Sequence, residues 1–257
     1  MTDFAFPEGR FDYVFHFATA SAAEVGAGDT ALMIATLAGT ARLLQFARQS
    51  GARRLLLASS GAVYGRQPPE LSHIPEDYAG APSLNDPMSA YGEIKRMSEL
   101  MCLATTDVEC VIARGFASLG PYLPLSGKFA AGSFIRDALA GGPIVLEGDG
   151  RALRSYLHAA DLTIWLLAIL VRGKPRRAYN VGSDAAVSTA ELAKRIAACM
   201  SANMRIEVRG RPDDKPESRY LPDISRARTE LGLTPHYDLD QSIARTCSAL
   251  GAELHSA

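Results

Sequence analysis

Arg54-Leu55-Leu56-Leu57-Ala58-Ser59-Ser60-Gly61-Ala62-Val63-Tyr64-Gly65 is the stretch on which the fold turns. Arg54–Ala58 is a short, nearly unbroken apolar run that stops at a Ser/Gly cluster, the pattern of a strand buried on both faces. Upstream, Asp12–Ala18 (DYVFHFA) is a second run of the same kind. Between the two, a helix is expected from about Thr30 to Ser50, closed by Gly51 with Arg48 in its last turn. Downstream, Pro68 to Pro87 holds five prolines and is expected to be a long surface loop. A helix from about Ala90 to Ala104 and a strand over Glu109–Ala113 come next. Strand–helix–strand alternation implies a doubly wound α/β fold, a parallel sheet with helices on both faces.

Beyond Gly120 the texture changes. A helix is expected near Phe129–Ala140, a strand at Ile144–Glu147 and a turn at Gly148-Asp149-Gly150. Helix Asp161–Arg172 and strand Ala178–Val181 return to the earlier pattern. Ser188 and Glu191 form a capping box that opens a helix to about Ala202. The remainder reads as loop and short helices. Two regions follow: 1–121, with contributions from about 155–183, forms the sheet domain, and 122–257 is mainly a smaller lobe over the sheet's carboxyl edge.

Composition narrows the function classes. The 257 residues are 47% hydrophobic and 21% charged, with net charge −1 and no basic stripe. Nucleic acid and an anionic membrane are therefore not the expected partners. The longest apolar stretch, Leu162–Val171, is too short to span a bilayer. Residues 1–10 carry acidic residues and Pro where a signal peptide needs a basic and then an apolar run. Cys102, Cys110, Cys199 and Cys247 lack C-x-x-C spacing, and the five histidines lack metal-ligand spacing. A metal site is not expected, and a reducing cytoplasm is the expected location.

Tyr91 and Lys95 lie four apart on an expected helix, so both side chains share a face. A nearby cation can lower a phenol from its usual pKa of about 10 by roughly 1–3 units, which would make a base that works near neutrality. Two surface residues on an amphipathic helix would show the same spacing. Ser60 adds weight because it ends a buried strand, where ligands bind in open parallel sheets. A hydroxyl there can bond both a sugar oxygen and the Tyr91 phenol.

VFHFAT (14–19), SSGAVYG (59–65), YGEIK (91–95), RSYLHAADL (154–162) and YNVGS (179–183) together resemble the extended short-chain dehydrogenase/reductase family, in its sugar-nucleotide epimerase/dehydratase branch. The resemblance covers nearly the whole chain in order. It implies a Rossmann-like fold, a homodimer and an NAD or NADP cofactor. It implies that Ser60, Tyr91 and Lys95 are the catalytic trio, with Tyr91 removing a proton from a sugar hydroxyl as hydride leaves the same carbon. Ala18, Thr19, Ser59, Tyr91 and Lys95 are the implied cofactor contacts. Ser60, Tyr64, Arg154 and, within RPDD, Arg211 are the implied contacts to a nucleoside-diphosphate sugar. A guanidinium suits a diphosphate because it bonds two oxygens at once. His16 reads as a structural residue of its strand.

The sequence also departs from that family's pattern. The family opens with a strand, a G-x-x-G-x-x-G turn and a helix that hold the cofactor's pyrophosphate. Nothing like it precedes residue 11, so the expectation is a Rossmann-like domain lacking roughly 60 or more residues, with the phosphate turn absent. Gly26-Ala27-Gly28-Asp29-Thr30-Ala31 spells G-x-G-x-x-A, but it lies past its strand and has no acidic partner. It is read as a coincidence. Dehydratases of the family carry an acid pair after the catalytic hydroxyl, where this chain has Gly61 and Ala62, so an epimerase or 4-ketoreductase is expected over a 4,6-dehydratase. Ala117 stands where the family often has Asn, three residues after Arg114. The rival expectation is a catalytically silent nucleotide-sugar-binding or interaction protein.

Overall fold

The computed structural model describes residues 2–19, 22–25, 29–86, 89–125, 129–201, 203–212 and 216–256. From the N-terminus come β1 (Tyr13–His16), α1 (Ala22–Val25), α2 (Thr30–Gln49) and β2 (Arg54–Ser60), then a 3-10 turn (Gly61–Tyr64), α3 (Ala90–Ala104) and β3 (Glu109–Gly115). Next are β4 (Ser118–Leu119), α4 (Ala130–Leu139), β5 (Ile144–Leu146), β6 (Leu153–Arg154), β7 (Leu157–His158), α5 (Ala159–Arg172) and β8 (Ala178–Val181). The chain continues through β9 (Val187–Ser188), α6 (Thr189–Met200), β10 (Ile206–Val208), β11 (Arg219–Tyr220), α7 (Ser225–Leu231) and α8 (Leu239–Ser256).

β1, β2, β3 and β8 form one parallel sheet in that order. Phe15 pairs with Leu56 and Leu56 with Val111. Leu55, Leu56 and Leu57 are each 0% exposed, which explains the continuous apolar run. Leu55 and Leu57 face α2 and α3 with Val14, whereas Leu56 and Val111 face Trp165 and Ile169 of α5 on the opposite side. Each such leucine contributes roughly 1.5–3 kcal/mol by burial. Arg54, at the start of β2, reaches under α5 to the carbonyls of Val171 and Gly173, closing that helix's C-terminal end.

A second core, built from Phe134, Ile135, Ile144, Leu192, Ile196 and Ile243, binds α4, β5, α6 and α8 into the smaller lobe. Ser188 caps α6 as its spacing predicts, its hydroxyl accepting from Glu191 N at 3.1 Å. Asp29 caps α2 by accepting from Leu32 N at 3.0 Å. Its place in the G-x-G-x-x-A stretch is thus that of a helix cap; Gly26–Gly28 lie outside the described residues. α2 is long and apolar enough to cross a membrane by length and composition. It lies along the sheet with Leu44, Phe46 and Ala47 buried.

Two expectations are corrected. The proline-rich segment is irregular but not superficial, since Ile74 is 0% exposed and bridges to Pro222. The C-terminal region contains α8, an eighteen-residue helix. Its register was legible in Ile243, Cys247 and Leu250, all buried in the lobe core. β1 is an edge among the described residues, pairing only with β2. Tyr13, Phe15 and Phe17 on its outward face are 41%, 36% and 52% exposed.

Candidate active site

α3 packs against β2 and the turn that follows it, and Tyr91, Lys95 and Glu99 recur on it every four residues. Lys95 is 3% exposed, and its Nζ donates to Thr19 Oγ1 at 2.8 Å and to the Ala58 carbonyl at 2.7 Å. Nζ lies 5.7 Å from the centre of the Tyr91 ring. Burial brings the ammonium down to about 8, opposed by the Glu99 carboxylate. Tyr91 behaves differently from expectation: burial raises its phenol, and the hydrogen bond from Ser60 opposes that rise. The Lys95 charge is not what governs it, because the ammonium is directed at Thr19 and Ala58.

Ser60 ends β2 in extended backbone (φ −146°, ψ 151°), and its Oγ accepts from Ala62 N at 3.1 Å. The serine thus caps the 3-10 turn and faces Tyr91. Ser59, one residue earlier, turns the other way and donates to Glu99 Oε1 at 2.5 Å. Glu99 also takes two bonds from Arg114, Nη2 to Oε2 at 2.7 Å and Nε to Oε1 at 3.0 Å. Arg114 Nη1 reaches the Tyr64 hydroxyl at 2.9 Å, and that hydroxyl donates to Asn180 Oδ1 at 2.8 Å. The substrate contact expected of Tyr64 is therefore corrected: the side chain is 2% exposed and its hydroxyl is held inside the protein. Ser59 gives its proton to Glu99, which leaves only its lone pairs for a cofactor.

Ala18 is exposed and Thr19 half-buried at the end of β1. Arg154 lies on β6, partly buried, with Nη1 donating to the Leu153 carbonyl at 2.7 Å and the Ser218 carbonyl at 3.0 Å. Among the described residues no carboxylate pairs with it, and burial lowers its pKa. Such an arginine is electrostatically prepared for an anion. Arg211 is not brought into this group; it is exposed beyond β10, and Asp213 and Asp214 of its RPDD motif lie outside the described residues.

Sequence reasoning missed Tyr220. It sits on β11 opposite Arg154 of β6, and its ring packs on Phe116 at 4.5 Å between centroids. A Cβ at Gly61 would lie 2.6 Å from both the Tyr220 hydroxyl and Phe116 Cζ. Gly61 is therefore glycine for space, and an acidic side chain there would collide with both rings. No sequence signal pointed to Tyr220, because it comes from a two-residue strand 160 positions beyond Ser60.

His16 is 1% exposed, its Nε2 shares a 2.9 Å hydrogen bond with Thr40 Oγ1, and its Nδ1 has no partner among the described residues. Burial first, then Lys95, lowers it from 6.5 to about 4. Because the unfolded chain takes up this proton before the folded one, the stabilisation is present above pH 6.5 and lost as pH falls towards 4. From this group alone, unfolding free energy is expected to drop by about 2 kcal/mol between pH 7 and pH 5. Urea titrations of the protein and of His16→Gln at both pH values check this; equal losses in the two would remove His16 as the cause. Among the described residues, no group of three or more His, Cys, Asp and Glu side chains converges as a metal site.

Residues 2–182 match the model of the NAD dependent epimerase/dehydratase family. The chain is 32% identical over 219 residues to UDP-glucuronic acid decarboxylase 1 of Xenopus tropicalis, covering 84% of this chain and 51% of that protein. It thus spans about half the length of the curated relatives it matches. In structure it is similar to a UDP-glucose 4-epimerase of Thermotoga maritima solved with UDP-glucose (TM-score 0.83, 21% identity, 95% of this chain and 78% of that one). It is also similar to RMD of Pseudomonas aeruginosa solved with NADPH (TM-score 0.81, 25% identity, 94% and 82%).

Proposed function

The chain belongs to the NAD dependent epimerase/dehydratase family, and from that premise we propose that it modifies a nucleoside-diphosphate sugar by reversible hydride transfer at C4. The observation that carries this reading is the meeting of Ser60, Tyr91 and buried Lys95 at the carboxyl end of β2. Tyr91 takes the proton of the C4 hydroxyl, and Ser60 bonds the same oxygen and the phenol. Lys95 uses two of its three ammonium protons on Thr19 and Ala58. That leaves one donor for a ribose hydroxyl, which fits the nicotinamide end of NAD or NADP. A bound oxidised nicotinamide would supply the hydride acceptor and a positive charge beside the phenol. Arg154 holds the substrate diphosphate.

The absence of an acid at Gly61 and Ala62 favours epimerisation or 4-keto reduction over 4,6-dehydration. A second reading is supported by the likeness to UDP-glucuronic acid decarboxylases. Oxidation at C4 of a UDP-glucuronate gives a ketone β to the C6 carboxylate; the C5–C6 bond then breaks, carbon dioxide leaves and C5 takes a proton. Incubation with NAD⁺ and, separately, UDP-glucose, UDP-galactose or UDP-glucuronate distinguishes these by C4 inversion or carbon dioxide release. With none of these and no cofactor reduction, the reading fails. Arg154→Ala is expected to raise KM for the active sugar nucleotide roughly 10–100-fold and to change kcat little. An unchanged KM would take Arg154 out of the diphosphate site.

A further inference from the structure

An open cleft of about 580 Å3 lies where the N-terminal end of α5 meets the first half of α8, with Pro121 and Ala244 among its walls. That volume is on the scale of a small-molecule site. Ser60, Tyr91, Lys95 and Arg154 do not line it. Its polar groups are His158, Gln241, Arg245 and Ser248. Each of the four has a proton to offer.

His158 caps α5, its Nδ1 accepting from Ala160 N at 3.2 Å. The proton of the neutral ring is therefore on Nε2. The side chain is 6% exposed, and Nε2 has no partner among the described residues. Gln241 is fixed in a similar way: its Oε1 accepts from Asp238 N at 3.1 Å, which leaves the two amide protons for other acceptors. The Tyr237 ring lies 4.5 Å from the His158 ring and 4.6 Å from Arg245 Cζ, so one aromatic side chain holds both.

The carboxylates of this region are engaged elsewhere. Asp161 is 2% exposed, and its Oδ2 accepts from His236 N and Tyr237 N, each at 3.0 Å. Asp238 Oδ1 accepts from Gln241 N at 2.8 Å, and Asp240 pairs with Arg195 at 3.1 Å. Among the described residues no carboxylate pairs with Arg245. Burial holds His158 below its ordinary value, Asp161 opposing and Arg245 adding to the fall, so the ring is a neutral donor near neutrality.

From this one-sided set of donors we propose that the cleft binds a small organic oxyanion, a carboxylate or a phosphate monoester. Arg245 receives two of its oxygens, as a guanidinium does with planar or tetrahedral anions. His158 Nε2 and the Gln241 amide supply further donors, and the carbon skeleton lies on Pro121 and Ala244. Binding here is separate from the chemistry at Tyr91.

The probes are inorganic phosphate and benzoate, which distinguish the two sources of the anion. Each is titrated by calorimetry into Arg154→Ala, so that the diphosphate site does not contribute. Saturable binding of at least one probe is expected, and Arg245→Ala added to that background should weaken it roughly tenfold or more. Arg245→Gln, which removes the charge but keeps a donor, carries the test if Arg245→Ala does not fold. In protein with isotope-labelled histidine, the assigned Nε2 resonance of His158 should move with the same saturation. No saturable binding of either probe overturns the proposal. So does binding that is unchanged without Arg245, or a His158 resonance that stays in place, whatever the protein does with nucleotide sugars.

Discussion

Tyr91→Phe is expected to lower kcat for nucleotide-sugar turnover by at least roughly a hundredfold while KM changes less than about twofold. In the proposed reaction the phenol takes the proton as hydride leaves, so its contribution would be made in the transition state rather than in the bound substrate. Phenylalanine preserves the ring beside Lys95, and folding is therefore not the cause of any loss. Ser60 and Lys95 remain in place, which is why substrate affinity is expected to persist. Steady-state kinetics on the two proteins check this. Equal kcat values would remove Tyr91 from the mechanism, and a large rise in KM at constant kcat would make it a binding residue only.

Glu99→Ala is expected to be the most destabilising single change near the site. Arg114 and Glu99 form a two-point ion pair with side chains only 16% and 7% exposed. Removing the carboxylate strands the Arg114 charge in the interior, which costs about 3–5 kcal/mol. For a chain of this size that corresponds to a fall of roughly 10 °C in melting temperature. Ser59 also loses the acceptor of its 2.5 Å bond. Glu99→Gln keeps an acceptor for Ser59 and should be less damaging. A melting temperature unchanged in Glu99→Ala would mean that the pair does not hold this end of the sheet.

Much of the sheet domain was legible because its signals are local. Leu55–Leu57 advertise burial on both faces by having no polar break. Gly51 and Arg48 close α2 within a residue of where it ends, and α3 begins and ends at Ala90 and Ala104 as its pattern predicts. The placing of Ser60 at a strand end and of Tyr91 and Lys95 on one face of α3 could be read because a strand end and a four-residue helical spacing are sequence features. Other parts depend on contacts between distant segments. Tyr64 looks like a ligand contact beside Ser60, and only the arrival of Arg114 and Asn180 from other strands turns its hydroxyl inward. The short strands β6, β9 and β11 have no periodicity to detect; they form where distant segments meet. Tyr220 was invisible for that reason. α8 was missed for a different one: its buried face mixes Ser242 and Thr246 with Ile243, Cys247 and Leu250, which breaks the apolar stripe.

Hydride transfer from C4 is the claim on which the rest depends, and isotope transfer tests it most directly. UDP-glucose, UDP-galactose and UDP-glucuronate, each carrying deuterium at C4, would be incubated with the protein and oxidised cofactor, and the cofactor examined by mass spectrometry. The account predicts deuterium on the reduced nicotinamide with at least one of these sugars, and its loss in Tyr91→Phe. Sugar-nucleotide binding with no deuterium on the cofactor, in the parent protein as in the variant, would contradict it and leave a catalytically silent nucleotide-sugar-binding protein.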